Sequence, residues 1–196
     1  MGSSRSVSEA RADGPPLARG FPPVAGRGAR VLVLGSLPGR ASLEARQYYA
    51  QPQNAFWRIM GTLVGAGREL DYERRLTRLT RASIALWDVL AAGERRGSLD
   101  AAIARGTAEV NDFAAFFERH PGIGAVYFNG RTAEEIYRRR VLPALPAPFA
   151  RLCLRALPST SPAYAGMSFA IKLARWSVLL EHLQGTCAAR SRDGVP

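Results

Sequence analysis

At 196 residues the chain is long enough for one domain with a sizeable core. Its 47% apolar and 22% charged residues are those of an ordinary globular protein, and no apolar run approaches the roughly 18 residues of a membrane span. The 27 basic against 16 acidic residues leave a charge of +11; Lys172 is the only lysine, so this charge is almost all arginine, which suits planar, bidentate phosphate contacts and points to a polyanionic partner, although an arginine-biased coding sequence would give the same excess.

Cys153 and Cys187 sit in dissimilar contexts and cannot supply the full thiolate set of an iron–sulfur cluster. Neither CxxC spacing nor a pairing of His120 with His182 argues for a metal site. The amino terminus lacks the apolar core of a secretory signal, and the expected compartment is the cytoplasm.

Residues 1–28 are rich in Gly, Ser, Pro, Ala and Arg without periodicity, the composition of a disordered basic leader, and residues 185–196 read as a similar tail. The folded domain is therefore expected over 29–184. It opens with Val31 to Leu34, apolar at every position as a strand buried on both faces should be. The turn Gly35-Ser36-Leu37-Pro38-Gly39 follows, then a polar, aromatic-rich segment ending in Asn54-Ala55-Phe56-Trp57. Phe56, Ile59, Met60 and Leu63 at helical spacing predict a helix over Ala55 to Val64. Another is expected over Tyr72 to Thr80, and a second strand over Ile84 to Trp87, ending at Asp88-Val89.

Ser98 is the expected N-cap of a helix over 98–105, and a further helix is expected over about 109–119. A third strand, Ala125 to Phe128, ends in Asn129-Gly130 and leads into a helix from Thr132 to Arg140. The fourth strand is expected over 151–156, leading into Leu157-Pro158-Ser159-Thr160-Ser161-Pro162, and a closing helix over Phe169 to Leu183. Strands interleaved with helices predict an α/β fold, a three-layer α/β/α sandwich with a four-stranded, mainly parallel central sheet. In such a sheet the turns at 35–39, 129–130 and 158–162 converge on one edge, where ligands bind. Their amides and aromatics suit a planar, hydrogen-bonding ligand such as a nucleobase.

At these residues the chain resembles the uracil-DNA glycosylase superfamily, and within it the hypoxanthine-DNA glycosylase branch; mismatch-specific uracil glycosylases are more distantly similar. The resemblance is carried by Gly35-Ser-Leu-Pro-Gly39, Gln47-Tyr-Tyr-Ala-Gln-Pro-Gln-Asn54-Ala-Phe-Trp57, Phe128-Asn129-Gly130 and Leu157-Pro-Ser-Thr-Ser-Pro-Ala-Tyr164. Leu86-Trp-Asp-Val89 and Glu94-Arg-Arg-Gly-Ser-Leu-Asp100 also fit. It covers roughly 30–183, and its strength lies in the order of the motifs, each at a strand end. It implies a glycosylase-like fold and a monofunctional DNA glycosylase that excises hypoxanthine, uracil or xanthine in base excision repair. The implied partner is double-stranded DNA carrying a deaminated base, with single-stranded DNA as a second form. The implied protein is a monomer that uses no cofactor and no metal.

The resemblance assigns water positioning to Asn54, although an asparagine there also suits a helix cap. Ser36 and Leu37 belong to the turn whose backbone amides would hold the base, and Tyr49 would stack on it, with Tyr48 as the neighbouring aromatic. Asn129 would read the base edge, since an amide donates and accepts side by side. Ser159, Thr160 and Ser161 would grip backbone phosphates. Many superfamily members carry Asp or Asn where this chain has Leu37, which shifts the water-positioning role to Asn54. That departure also leaves open a non-catalytic module that binds damaged DNA on the same fold. A hydrolase with Ser159 or Ser161 as nucleophile would need a histidine base beside it.

Overall fold

The computed structural model describes residues 17–94 and 108–184. The expected helix over 98–105, Cys187 and the motif from 95 to 100 lie outside the described residues. The central sheet has the order β3-β2-β6-β7, formed by Val31–Gly35 (β2), Ile84–Asp88 (β3), Ala125–Asn129 (β6) and Cys153–Leu157 (β7). All three pairings are parallel. Their register sets Gly35 beside Asp88, Leu34 beside Phe128 and Asn129 beside Leu157. The carboxyl ends of the four strands therefore lie in one row.

The strands β2, β3 and β6 are buried at every position, because the sheet is covered on both sides. Alternate side chains serve two cores. Val31, Val33, Ala125 and Tyr127 pack with Phe56, Trp57, Ile59, Met60, Trp176 and Leu179 on one face. Leu32, Leu34, Val126 and Phe128 pack with Phe113, Phe116, Phe117 and Tyr137 on the other. Fully burying each such side chain contributes about 1.5–3 kcal/mol.

The first face is built by Phe56–Val64 (α2), Tyr72–Arg81 (α3), Phe169–Trp176 (α7) and Val178–Leu183 (α8). The second is built by Phe113–Arg119 (α4), Arg131–Ile136 (α5) and the short Ala147–Ala150 (α6), whose Phe149 packs against that core. The helix expected to run to Arg140 widens after Ile136 into a π-helical turn over Tyr137–Val141. The closing helix is divided at Ser177, whose hydroxyl donates back to the carbonyl of Ala174 at 2.8 Å, a bond that bends helices.

Other elements also differ from the sequence expectation. Residues 17–28 are not a detached leader: Leu17–Arg19 (β1) pairs antiparallel with Leu90–Glu94 (β4), and Val24 bridges to Leu86. With Glu109–Val110 (β5) these strands form a second, antiparallel sheet in the order β1-β4-β5. The helix expected over 109–119 accordingly begins only at Phe113, capped by Asp112, which accepts from the Ala115 amide at 3.0 Å. A short helix, Arg40–Ala45 (α1), also follows the glycine turn directly. No helix among the described residues is long and apolar enough to cross a membrane.

Candidate active site

Beyond the strand ends lies an open cleft of about 1290 Å³. Ser36, Leu37, Tyr49, Asn54, Asn129, Ser159, Thr160 and Ser161 all line it. Residues drawn from four separate stretches of sequence thus meet at one place. Asp88, at the end of β3 and only 3% exposed, lines it too.

The turn after β2 is set by its backbone. The amides of Val89 and Leu90 donate to the carbonyls of Gly35 and Ser36 at 2.9 and 3.0 Å. Gly39 caps the start of α1, its carbonyl accepting from Ser42 and Leu43 at 2.9 and 3.0 Å. Ser36 and Leu37 are consequently almost fully buried. At Gly35 a β-carbon would collide with the Asp88 carboxylate and lie 3.1 Å from the Tyr49 hydroxyl, so only glycine lets both groups approach this strand end.

Tyr49 adopts a left-handed backbone conformation, with φ 54°. Its ring stacks on Phe56 with centroids 4.1 Å apart, which holds it at the cleft wall. Tyr48 also borders the cleft but is 3% exposed, its hydroxyl donating to the Pro22 carbonyl at 3.2 Å. Burial raises its phenol far above the ordinary range. Tyr48 is a core residue, as are Phe56 and Trp57.

The N-cap of α2 is Ala55, and Asn54 stands just before it, its Oδ1 accepting from the amide of Phe56, the first residue of the helix, at 3.0 Å. An amide oxygen has two lone pairs, so this bond leaves one acceptor position. Its neighbour Ala55 donates to the Thr160 carbonyl at 2.9 Å, tying the Asn54 segment to the loop after β7.

That loop is organised by side chains. Asn129 donates from Nδ2 to the Thr160 hydroxyl and accepts from the Thr160 amide, both at 2.8 Å. Thr160 is 1% exposed. Its assignment to phosphate contact is therefore corrected: the hydroxyl faces inward and is committed to Asn129, because a buried polar group must find a partner. Asn129 is in turn half committed, keeping one N–H and one lone pair. Ser159 and Ser161 remain at the surface. Their hydroxyl oxygens accept from the amides of Ser161 and Ala163 at 3.2 and 3.3 Å, so their O–H protons are available to donate outward.

Two further anchors were not legible in the motifs. Trp176 donates from Nε1 to the Pro158 carbonyl at 2.9 Å, and Lys172 from Nζ to the Tyr164 carbonyl at 2.8 Å. The cleft wall also carries Arg40, Arg131, Arg155 and Arg175 against Glu44 and Asp88. Arg40 and Arg131 make ion pairs with Glu44 and Glu135 at 3.7 and 3.5 Å, at exposed positions where such pairs contribute little. Neither His120 nor His182 lines the cleft, so Ser159 and Ser161 have no histidine base there.

A parallel sheet with a cleft at its carboxyl edge, walled by an amide, an aromatic and a serine loop, is the architecture of a base-recognising α/β enzyme. The model of the uracil DNA glycosylase superfamily matches residues 22–183, and the chain belongs to that family. A hypoxanthine DNA glycosylase from Methanosarcina acetivorans is 41% identical over 135 residues, 64% of this chain and 84% of that protein. One from Methanosarcina barkeri is 41% identical over 118 residues, 60% of this chain and 73% of that protein. The solution NMR structure of a candidate uracil DNA glycosylase from Methanosarcina acetivorans superposes with a TM-score of 0.70 at 34% identity, covering 86% of this chain and 99% of that one.

Proposed function

We propose that this protein is a monofunctional DNA glycosylase that everts a deaminated nucleotide, hypoxanthine before uracil or xanthine, and hydrolyses its N-glycosidic bond in base excision repair. The observation that carries this reading is the convergence of all eight motif residues on one cleft, in a chain of the uracil DNA glycosylase superfamily. The names of the two Methanosarcina relatives support hypoxanthine as the first substrate.

Eversion costs a few kcal/mol, least at a mismatch, and the cleft must return that energy through contacts with the base. Tyr49, which lines the cleft, stacks on it, an interaction of about 1–3 kcal/mol. The 36–39 turn, rigidly set against Val89 and Leu90, offers fixed dipoles to charge developing on the departing base. The remaining N–H and lone pair of Asn129 meet the base edge.

Cleavage of the C–N bond leaves an oxocarbenium-like sugar, as in other glycoside hydrolyses. Such a centre is electrophilic enough for neutral water, which an amide can orient but cannot deprotonate. The second lone pair of Asn54 Oδ1 holds this water. The water oxygen bonds to the sugar carbon, the bonding pair leaves with the base, and a water proton balances the base's new N–H. Ser159 and Ser161 hold the flanking phosphates of a duplex.

Oligonucleotides carrying deoxyinosine, deoxyuridine or deoxyxanthosine, single- and double-stranded, test the reading by base release followed by alkaline cleavage. Cleavage at deoxyinosine is expected; no cleavage with any of the three overturns it. Asn54→Ala should abolish turnover, at a stability cost of about 1 kcal/mol for the lost bond to the Phe56 amide. Surviving activity would remove Asn54 from its role. Leu37 favours one second reading, a binding module, which would show salt-dependent DNA affinity without base release.

A further inference from the structure

A second cleft of about 630 Å³ shares one wall with the first, and Asn54 lines both. Its other lining includes Arg58, Arg68 and Lys172, against the single carboxylate of Glu69. Lys172 comes from a stretch far from Arg58 and Arg68 in sequence, and each of the three is held in place. The Arg58 guanidinium lies 3.6 Å from the centroid of the Phe169 ring. Arg68 donates from Nη2 to the carbonyls of Gln51 and Asn54 at 2.8 and 3.0 Å, while Arg75 braces it by donating to its carbonyl at 3.2 Å. Lys172, 6% exposed, is fixed by the Tyr164 carbonyl.

None of these contacts exhausts a donor set. Stacking on Phe169 leaves the in-plane N–H groups of Arg58 unused, Arg68 keeps Nε and Nη1, and an ammonium keeps two of its protons. The result is a concave, preorganised array of charged donors, which is the recognition chemistry of phosphate. Burial lowers the pKa of both Lys172 and Arg68. An anion in the cleft would reverse that shift, so the charged forms favour one.

We propose that this second cleft binds a backbone phosphate, with its sugar, of the DNA strand whose everted nucleotide occupies the first. The inference rests on the glycosylase reading for its ligand. The shared Asn54 wall carries the choice of ligand: a chain entering the first cleft must continue past that residue, and its next phosphodiester meets Arg58, Arg68 and Lys172. The contact also acts on the reaction, because Arg68 holds the carbonyl of Asn54. A phosphate seated here fixes the sugar relative to the residue that holds the water.

The test is equilibrium binding of a deoxyinosine duplex by the full chain across a salt series, alongside base release. Arg58→Gln should weaken binding about tenfold at fixed salt and flatten the slope of log affinity against log salt by about 0.9, one phosphate's worth. Arg58→Lys should restore most of the slope. Arg119→Gln, a cation away from both clefts, should leave the slope unchanged. Thr62→Glu keeps every cation but places a carboxylate in the cleft; it should weaken binding as much, which guards against an Arg58 variant that merely folds poorly. An unchanged slope in Arg58→Gln with unchanged affinity in Thr62→Glu overturns the inference, even where wild-type protein releases base. Conversely, altered slopes without any base release would uphold the phosphate site and overturn the glycosylase reading. Thermal stabilisation by a millimolar deoxynucleoside monophosphate, lost in Arg58→Gln while the DNA salt slope stays intact, would assign the cleft to a free nucleotide instead.

Discussion

Two loops face each other across the cleft, and they are held by different means. The 35–39 turn is fixed by main-chain bonds from Val89, Leu90, Ser42 and Leu43. The 158–164 loop is fixed chiefly by side chains of other elements: Asn129 on Thr160, Trp176 on Pro158 and Lys172 on Tyr164. A backbone-held turn tolerates a change of side chain wherever space allows. This explains how Leu37 can stand where many relatives carry a polar residue without loss of the turn. A side-chain-held loop fails when a distant anchor is lost.

The sharpest way to break this contrast is Asn129→Ala. It leaves the amide and hydroxyl of Thr160 buried without their partner, so urea unfolding should show a loss of about 2–4 kcal/mol, with base release lost as well. Thr160→Val, which keeps the amide bond, should lose less. Equal losses would mean that the hydroxyl carries the whole clamp.

On the opposite side, Gly35→Ala should cost about 1–3 kcal/mol by overpacking Asp88 and Tyr49, whereas Leu37→Met should change stability by less than about 1.5 kcal/mol. A Gly35 variant of unchanged stability and activity would show that the strand end has room to give. Trp176→Phe keeps the core ring but deletes the bond to Pro158. A loss of about 1 kcal/mol is expected, with KM for DNA rising more than kcat falls, because the loop is loosened and the Asn54 turn is not.

The smallest effect concerns His182, which shares a 2.8 Å hydrogen bond with Tyr127 and ties α8 to β6. Burial, then Arg155, lowers its pKa; Glu181 opposes this and Arg30 adds to it. A histidine with a depressed native pKa binds its proton more readily when unfolded. Its stabilising contribution is therefore complete above the unfolded value of about 6.5 and declines as pH falls below it. Thermal melts from pH 7.5 down to 5 should show a fall in Tm that is shallower in His182→Asn. Parallel curves would remove His182 as a source of acid sensitivity.

The sheet was legible because its strands are short, continuous apolar runs ending in turn residues, and this pattern arises from burial on both faces. Their ends then located the cleft before any contact was known. Residues 17–28 were misread for a related reason. Their Gly- and Pro-rich composition mimics disorder, and only strands formed far along the chain, β4 beside Leu17–Arg19 and β3 beside Val24, give them partners. Arg58, Arg68 and Trp176 carried no signal as site residues. An arginine on a helix reads as solvated surface until the neighbouring element is placed.

The roles within the site divide along the same line. Strand periodicity and turn residues, which are local properties, put the 35–39 turn, Asn129 and the serine loop at one edge, and the family resemblance added Asn54 and Tyr49. Which hydrogen-bonding group faces inward was decided by the tertiary structure alone. Asn129 and Thr160 are 31 residues apart, and a bond over that separation forms only once β6 and β7 lie side by side. Burial then requires those two side chains to satisfy each other, which turns a candidate phosphate ligand into the anchor of the loop.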